Sequence, residues 1–259
     1  MVTDEEELTF WEHFEELINR LRIGFFAVIV ATLFVMAFPI GFGPDGLSLS
    51  NPTYVTVASL LINRIQQDFL PVGVELMPIS WYAPLEVYLY VSLILGVTLS
   101  LPVSIYELYK FISPALYKSE RKSITPFAIS FTALFAFGFA LGYFLVMPAT
   151  VRLLLLSAEA SGLSPRYEFS QFFSLVAGGL FVCGFVMTFP VYLALSVRAG
   201  ALETTQLKKN RRYMYGAVLV GIALIDPDPT LITELFLGVP VILVFEAAIR
   251  LASRYESRG

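Results

Sequence analysis

The sequence has few charged residues, one cysteine and one histidine. Asp, Glu, Lys and Arg together make up 15% of its 259 residues, against ~25% in soluble domains. Cys183 alone rules out an intramolecular disulfide and a four-cysteine metal site. Because it lies in an apolar run, we expect it to pack in the protein interior. The scarcity of charge argues against an ordinary soluble domain.

Sequence motifs that would indicate catalysis are also absent. The sequence contains no HExxH metal pair, no GxSxG nucleophile turn and no GxxxxGKS or GxxxxGKT phosphate loop. Its net charge is -4, and it has no basic block suited to a phosphate backbone. We therefore predict no catalytic residue, no metal or other cofactor, and no nucleic-acid partner.

The sequence is rich in apolar residues: 57% are hydrophobic, and the mean hydropathy is +0.74. A helix needs about 20 apolar residues to cross ~30 Å of hydrocarbon. Four uncharged stretches are long enough, at residues 23–44, 87–106, 123–151 and 169–197. Two shorter apolar segments follow, separated by Asp226-Pro227-Asp228-Pro229, which favours two short spans joined by a tight turn. We predict an all-α integral membrane protein with six transmembrane helices, at about residues 23–42, 86–106, 124–147, 169–197, 213–226 and 230–249.

The fifth predicted span is short for a membrane crossing. Residues 213–225 would reach only about 20 Å as a helix. The bilayer would therefore have to be thinner at this point. We regard the short fifth and sixth spans as a hint about function.

The distribution of basic residues predicts which ends of the spans face the cytoplasm. If both termini lie inside, fourteen of the 17 Lys and Arg residues fall in inside segments, and only Arg64, Arg152 and Arg166 fall outside. Cytoplasmic segments of membrane proteins are enriched in Lys and Arg. We therefore predict that both termini are cytoplasmic. The long first outer loop, residues 45–86, has apolar residues at helical spacing near its middle, which predicts a helix lying against the membrane.

The N-terminal segment, residues 1–22, has the pattern of an amphipathic helix on the inner membrane surface. Thr9 and Glu12 have the spacing of a capping box. Two stripes follow at three- and four-residue steps, an apolar one of Phe10, Phe14, Leu17 and Leu21 and a charged one of Glu12, Glu16 and Arg20. On these residues alone, Glu16 is either an exposed partner of Arg20, contributing ~0.3–0.5 kcal/mol, or part of a ligand site.

A dense polar stretch, FISPALYKSER at residues 111–121, separates the second and third predicted spans. Ser113 followed by Pro114 is a favourable start for a short helix, which would carry Glu120. The residues leave two interpretations of Glu120 open. It either pairs on the surface with a neighbouring cation (Lys118, Arg121 or Lys122), or it binds a ligand.

Further motifs combine with FISPALYKSER into a pattern that covers nearly the whole chain. They are H-x-x-E-L-x-x-R-L at residues 13–21, Ser50-Asn51-Pro52, LSLP ending at Pro102, Ile105-Tyr106-Glu107, LKKNRRY at residues 207–213 and Pro227-Asp228. Together they resemble the TatC family, the receptor component of the twin-arginine protein translocase. The chain departs from the family pattern at Ile18, where a basic residue is frequent, and at Thr188, where the family often carries Glu or Gln. Glu234, in the sixth predicted span, falls close to the same site.

The resemblance implies a single membrane domain over residues 1–259, a concave bundle that binds the twin-arginine signal peptides of folded proteins. The family's key acids match Glu16 and Glu120. The other positions implied to bind the signal peptide are His13, Arg20, Phe111, Pro114, Leu116, Tyr117, Lys118 and Arg121. Pro52, Pro102 and Asp228 match structural or periplasmic positions, and Thr188 and Glu234 match a contact with partner subunits. The implied partners are single-span TatA/TatB-type subunits and the lipid bilayer of the cell membrane, with transport driven by the proton-motive force; a homo-oligomer is also compatible.

Two other functions fit the residues. A proton- or ion-coupled transporter of small solutes would use Glu234 and Glu246 as coupling sites. A structural membrane scaffold would bind no signal peptide. Most of the polar residues lie in predicted cytoplasmic segments, and no repeat with broken helices is evident, which favours the translocase component over the transporter.

Overall fold

The protein is almost entirely helical. The computed structural model describes residues 10–39, 42–43, 46–47, 55–71, 73–112, 124–162, 166–198, 209–225, 238–247 and 249. Its helices, numbered here in chain order, are α1 (Phe10–Ala37), α2 (Val57–Phe69), α3 (Ala83–Ile112), α4 (Ile124–Leu141), α5 (Met147–Ala160), α6 (Phe169–Met187), α7 (Phe189–Arg198), α8 (Arg211–Ile225) and α9 (Gly238–Ala247). A π-helical turn, Gly142–Val146, joins α4 to α5.

Two pairs of short strands accompany the helices. Strands β1 (Phe42–Gly43) and β2 (Gly46–Leu47) are antiparallel. Strands β3 (Glu75–Met77) and β4 (Arg166–Glu168) are parallel, with Glu75 opposite Arg166. The second pair lies directly before α6 and ties the segment after α2 to the start of that helix.

Four helical segments of the described chain are long and apolar enough to cross a membrane. They are Phe14–Ala37, Ala83–Phe111, Thr125–Ala160 and Phe169–Leu193. The four long apolar helices expected from the sequence are thus confirmed, and the protein is a multi-pass membrane protein. Helix α8 overlaps the predicted fifth span, and α9 lies within the sixth. Both are shorter than a usual crossing, so the count of six stays a prediction.

The first apolar helix includes the predicted surface segment. Helix α1 runs without interruption from Phe10 to Ala37, so no break occurs at residue 22. No proline lies between these two residues, and the backbone hydrogen-bond ladder can therefore continue from the amphipathic turns into the apolar ones. The expected separate helix on the inner surface is instead the first three turns of a 28-residue helix.

Helices α1 and α3 form a closely packed antiparallel pair. Gly24 of α1 lies against Ser104 of α3, and farther along α1, Thr32 lies against Gly96. The Tyr88 hydroxyl, near the start of α3, donates to the Met36 carbonyl near the end of α1. Small residues let the helix backbones approach closely, as is common between membrane helices.

The predicted third span continues past residue 147 to Ala160 and contains the π-helical turn. Pro148, two residues after this turn, lacks the N–H that would bond to the Phe144 carbonyl, which accounts for the local irregularity. Gly138 of α4 lies so close to α6 that a Cβ there would be 2.6 Å from the Cys183 carbonyl oxygen. Cys183 itself is buried, as expected.

The predicted fourth span, 169–197, is two helices rather than one. The α-helix α6 ends at Met187 and α7 begins at Phe189, with Thr188 between them. Pro190 explains the interruption, because it provides no N–H for the Val186 carbonyl and its ring crowds that turn.

The largest buried cluster lies between α2, α3, α5 and α6. Its members include Phe69, Val91, Met147, Phe173 and Leu180. The predicted helix of the first outer loop is α2, which begins at a capping box of Thr56 and Ser59. Arg64 pairs with Asp68 at 2.9 Å, and the Tyr143 hydroxyl donates to Asp68, so polar contacts also fix α2 to the third apolar segment.

Large apolar side chains are exposed along the outside of the bundle. Phe25, Phe26, Val30 and Leu33 of α1 are all more than half exposed. Such a continuous apolar surface is incompatible with water contact in a soluble monomer and fits contact with lipid tails.

Candidate functional site

A charged cluster joins α1 to the last part of α3. The Arg20 Nε donates to the Glu16 Oε1 at 3.0 Å, and Nη2 of the same guanidinium donates to the same oxygen. The Arg20 Nη1 donates to the Glu107 Oε2 at 3.2 Å. Arg20 thus holds two carboxylates that are far apart in sequence. We call Glu16, Arg20 and Glu107 the α1–α3 charge cluster.

The helix geometry explains how these three residues meet. Glu16 and Arg20 are four residues apart and lie on one face of α1. Because α3 runs antiparallel to α1, its last turns lie beside the first turns of α1, and this brings Glu107 to Arg20. The side chains of Arg20, Glu16 and Glu107 are 17%, 25% and 14% exposed. This shielding makes their mutual attraction stronger than that of fully exposed ions.

An open recess borders the α1–α3 charge cluster. Its lining consists of Glu15, Glu16, Asn19, Arg20, Ile23, Glu107 and Lys110. Among the described lining residues, three are carboxylates and two are cations. The Lys110 ammonium lies 6.0 Å from the centre of the Tyr106 ring, near the limit for a cation–π contact. Carboxylates such as these favour a planar guanidinium, which can pair with them bidentately.

The structure confirms one part of the sequence interpretation of Glu16, its pair with Arg20, and adds details that the sequence did not predict. The pair with Arg20 exists, but it is half-buried rather than exposed, and Arg20 also contacts a second acid. Glu107 was not among the predicted site residues. The sequence did contain an indication that Glu107 has a polar contact, because a single carboxylate near the end of a long apolar helix requires a polar partner or water.

The other predicted signal-peptide residues are less fully described. Phe111 lies in the last turn of α3, with a half-buried side chain. His13 lies within α1, but its side chain is outside the described part. The remaining predicted residues of this group, Pro114, Leu116, Tyr117, Lys118, Glu120 and Arg121, fall outside the described residues, as do Pro52, Asp228 and Glu234.

Pro102 and Thr188 are both described and lie inside helical segments. Pro102 lies within α3, one and a half turns before Glu107. The Thr188 side chain is 0% exposed, and its Oγ1 donates to the Phe185 carbonyl at 2.6 Å. In this chain, Thr188 is therefore enclosed and hydrogen-bonded at the α6–α7 junction.

A second charged cluster connects α8 and α9. The Arg211 Nη1 lies 3.4 Å from the Glu246 Oε1, and the Tyr215 hydroxyl donates to the same carboxylate oxygen. Arg211 is the first residue of α8, and Glu246 is near the end of α9. Glu246 is thus paired at a helix end, an arrangement that does not favour a coupling site at the centre of a membrane. Among the described residues, no group of His, Cys, Asp and Glu could hold a metal ion.

Comparison with known proteins identifies the fold and the family. Residues 12–240 match the family model described as TatC, Sec-independent protein translocase protein. The crystal structure titled twin arginine translocase receptor TatC, in the detergent DDM, superposes with a TM-score of 0.74. It is 26% identical, over 93% of this chain and 99% of that one.

Three curated relatives carry the name Sec-independent protein translocase protein TatC. The Desulforapulum autotrophicum protein is 30% identical over 250 residues, which are 96% of this chain and 86% of the relative. The Escherichia coli protein is 29% identical over 95% of this chain and 89% of the relative. The Halothiobacillus neapolitanus protein is 30% identical over 92% of this chain, which spans 60% of that relative's length. The chain belongs to the TatC family of Sec-independent protein translocase proteins.

Proposed function

We propose that this translocase subunit, a membrane receptor and not an enzyme, binds the twin-arginine signal peptides of folded proteins at the cytoplasmic face of the cell membrane. Glu16 and Glu120 are the two acids that meet the arginine pair. Arginine presents a planar fork that pairs bidentately with a carboxylate, whereas lysine is a compact and strongly hydrated charge. Two acids held on separate elements therefore favour an Arg-Arg pair over a Lys-Lys pair.

The observation that carries this proposal is the α1–α3 charge cluster with its open recess. It pairs Glu16 with Arg20, half-shielded from water, beside a recess whose described lining includes three carboxylates and two cations. Phe111, the first residue of the FISPALYKSER stretch, lies in the last turn of α3. Helix α3 ends at Ile112, and Glu107 lies near that end. Residues 113–121 follow it directly in the sequence.

The proposed topology has six spans with both termini in the cytoplasm. The strong asymmetry of Lys and Arg supports it. In this topology, the start of α1 and the end of α3 face the cytoplasm, and so do Arg211 and Glu246. The short α8 and α9 helices would create the thin membrane region expected from the sequence.

Partner binding is the second part of the proposal. TatA/TatB-type subunits with a single span dock near Thr188 and Glu234, and the proton-motive force drives transport. A second copy of the chain is compatible with this arrangement. Because Thr188 is enclosed, a partner helix would contact the surface around the α6–α7 junction rather than the Thr188 hydroxyl.

The affinity expected from two acids is moderate. Hydrogen bonds to charged groups contribute ~1.5–3 kcal/mol each, and 1.4 kcal/mol corresponds to a factor of about ten in affinity. Loss of one acid should therefore weaken binding by roughly 10- to 100-fold. The apolar part of the signal peptide must supply the remaining affinity by contact with the bundle.

The test is binding of a twin-arginine peptide and a twin-lysine peptide to the purified full-length protein. E16Q and E120Q should weaken twin-arginine binding and reduce the preference over twin-lysine. E159Q is the matched control, since Glu159 is an exposed carboxylate near the end of α5, far along the chain from the recess. Normal binding by both E16Q and E120Q would refute the proposal, and solute uptake by the protein in liposomes would favour the transporter instead.

A further inference from the structure

We infer that residues 78–82, which we call the PISWY turn, bind the lipid headgroup region of the membrane through the side chains of Trp81 and Tyr82. The turn comes directly before α3, at the helix end opposite to Glu107. Only the membrane location of the chain is needed for this binding. It is therefore independent of the proposed recognition of signal peptides and of which side of the membrane this helix end faces.

The large side chains of the PISWY turn stand out from the protein. Trp81 is 94% exposed and Ile79 is 77% exposed, and about half of the Tyr82 surface is exposed. The Trp81 and Tyr82 rings meet edge to face, with their centroids 5.9 Å apart. Side chains that project this far contact the surroundings of the bundle, which in a membrane are water, headgroups or lipid tails.

Hydrogen bonds fix the backbone of the turn to the start of α3. The Ala83 N–H donates to the Ser80 carbonyl at 3.1 Å, and the Glu86 N–H donates to the Tyr82 carbonyl at 3.0 Å. The Ala83 side chain is buried. Because the backbone that carries both rings is held against the helix, the position of α3 in the membrane sets the depth of the rings.

The charges of α3 indicate which part of the helix lies in the hydrocarbon. Residues 87–106 contain no Asp, Glu, Lys or Arg, and Glu86 and Glu107 stand at the two ends of this stretch. As a helix it spans about 30 Å, which matches the hydrocarbon core. With this stretch in the core, Ala83 lies about 6 Å beyond it. The headgroup region extends roughly 5–8 Å beyond the core on each side, so the PISWY turn falls within it.

The turn is also continuous with the lipid-facing surface of α3. Leu85, Leu89 and Leu93 follow Trp81 at four-residue steps in the sequence, and each is about half exposed. One apolar stripe therefore leads from the membrane interior to the turn. Tryptophan and tyrosine are enriched where such surfaces reach the headgroups, because each combines an apolar ring with an N–H or O–H group. Trp81 and Tyr82 thus fit the headgroup region better than they fit water or lipid tails.

The test measures the depth of Trp81 by fluorescence quenching in vesicles. The protein has two tryptophans, and W11F leaves Trp81 as the only one. The purified full-length variant is reconstituted into phosphatidylcholine vesicles that contain a quencher at the headgroup, a quencher in the middle of the acyl chain, or iodide in the water. The headgroup quencher should cause the largest loss of emission. Iodide should quench Trp81 less than it quenches free tryptophan.

L93W in the W11F/W81F background is the matched control, because residue 93 lies on the same stripe about 9 Å inside the uncharged stretch. For this variant the acyl-chain quencher should cause the largest loss. If W11F does not fold, the difference between the wild type and W81F reports the same tryptophan, and W81F replaces a side chain that is almost fully exposed.

Three results would refute the binding of headgroups by the PISWY turn. Strong quenching by iodide without loss from either lipid quencher would place Trp81 in water. The quenching order of L93W would place it among the lipid tails. Protection from all three quenchers would indicate a protein contact, such as a second copy of the chain.

Discussion

Replacing Gly96 by alanine should push apart the two helices that carry the α1–α3 charge cluster. A Cβ atom at residue 96 would lie 2.0 Å from the Thr32 Oγ1 and 2.7 Å from the Thr32 Cα and backbone N. A rotamer change can move the hydroxyl, but it cannot move the backbone. Ordinary contacts begin at 3.4 Å, and α1 would therefore have to shift by about 0.7 Å.

The magnitude follows from this overlap. Overpacking of a well-packed interior costs ~1–3 kcal/mol of stability. If α1 moves as a rigid helix, the 3.2 Å contact between the Arg20 Nη1 and the Glu107 Oε2 would lengthen to about 4 Å, beyond hydrogen-bonding distance. G96A should therefore lower both the melting temperature and the affinity for a twin-arginine peptide.

The assay is thermal unfolding of the purified full-length protein in detergent, followed by peptide binding. G216A is the matched control, because a Cβ at residue 216 would meet nothing within 4 Å. Since glycine in a helix costs ~0.5–1 kcal/mol relative to alanine, G216A should melt at the same or a higher temperature. T32A combined with G96A should recover only part of the loss, because the backbone overlap remains. An unchanged melting temperature for G96A would refute the close packing of α1 on α3.

Three further perturbations test other contacts. E246Q should lower the melting temperature because it weakens the pair with Arg211, and R211Q should lower it to a similar extent. A normal melting temperature for both variants would contradict the α8–α9 contact. D68N should lower the melting temperature, because the Tyr143 hydroxyl and Arg64 lose their charged partner; an unchanged melting temperature would contradict the attachment of α2. G138A should destabilise more than G216A in the same unfolding assay, because its Cβ would lie 2.6 Å from a backbone oxygen of α6; equal stability would contradict that approach.

Several parts of the fold could be predicted from the sequence because they depend on local patterns. Uncharged stretches of about 20 residues can satisfy their backbone groups in a bilayer only as helices or closed barrels, and this made the four long apolar helices predictable. Helix α2 was predictable from the spacing of its apolar residues, since Ile65 and Phe69 do face the buried cluster. The TatC-like motifs were equally local, and the family match confirms the family that they implied.

Helix ends and interruptions were less predictable. Apolar composition does not reveal that α1 runs unbroken from Phe10 to Ala37, that the third segment reaches Ala160, or that Thr188 separates α6 from α7. The sequence shows Pro148 and Pro190. It does not show how the surrounding helices pack, and this packing decides how the helix responds to a proline. Neighbouring helices decide whether the chain kinks, forms a π-helical turn or stops.

The sequence by itself determined that this chain spans a membrane, that fourteen of its 17 basic residues fall on one predicted side and that Glu16 and Arg20 share a helix face. These properties follow from residues that are close along the chain. Only the tertiary structure decided that Glu107 joins them, because Arg20 and Glu107 are 87 residues apart and meet through the antiparallel packing of α1 on α3. That packing depends on Gly96, whose missing side chain lets the two backbones approach closely enough for one guanidinium to hold both acids.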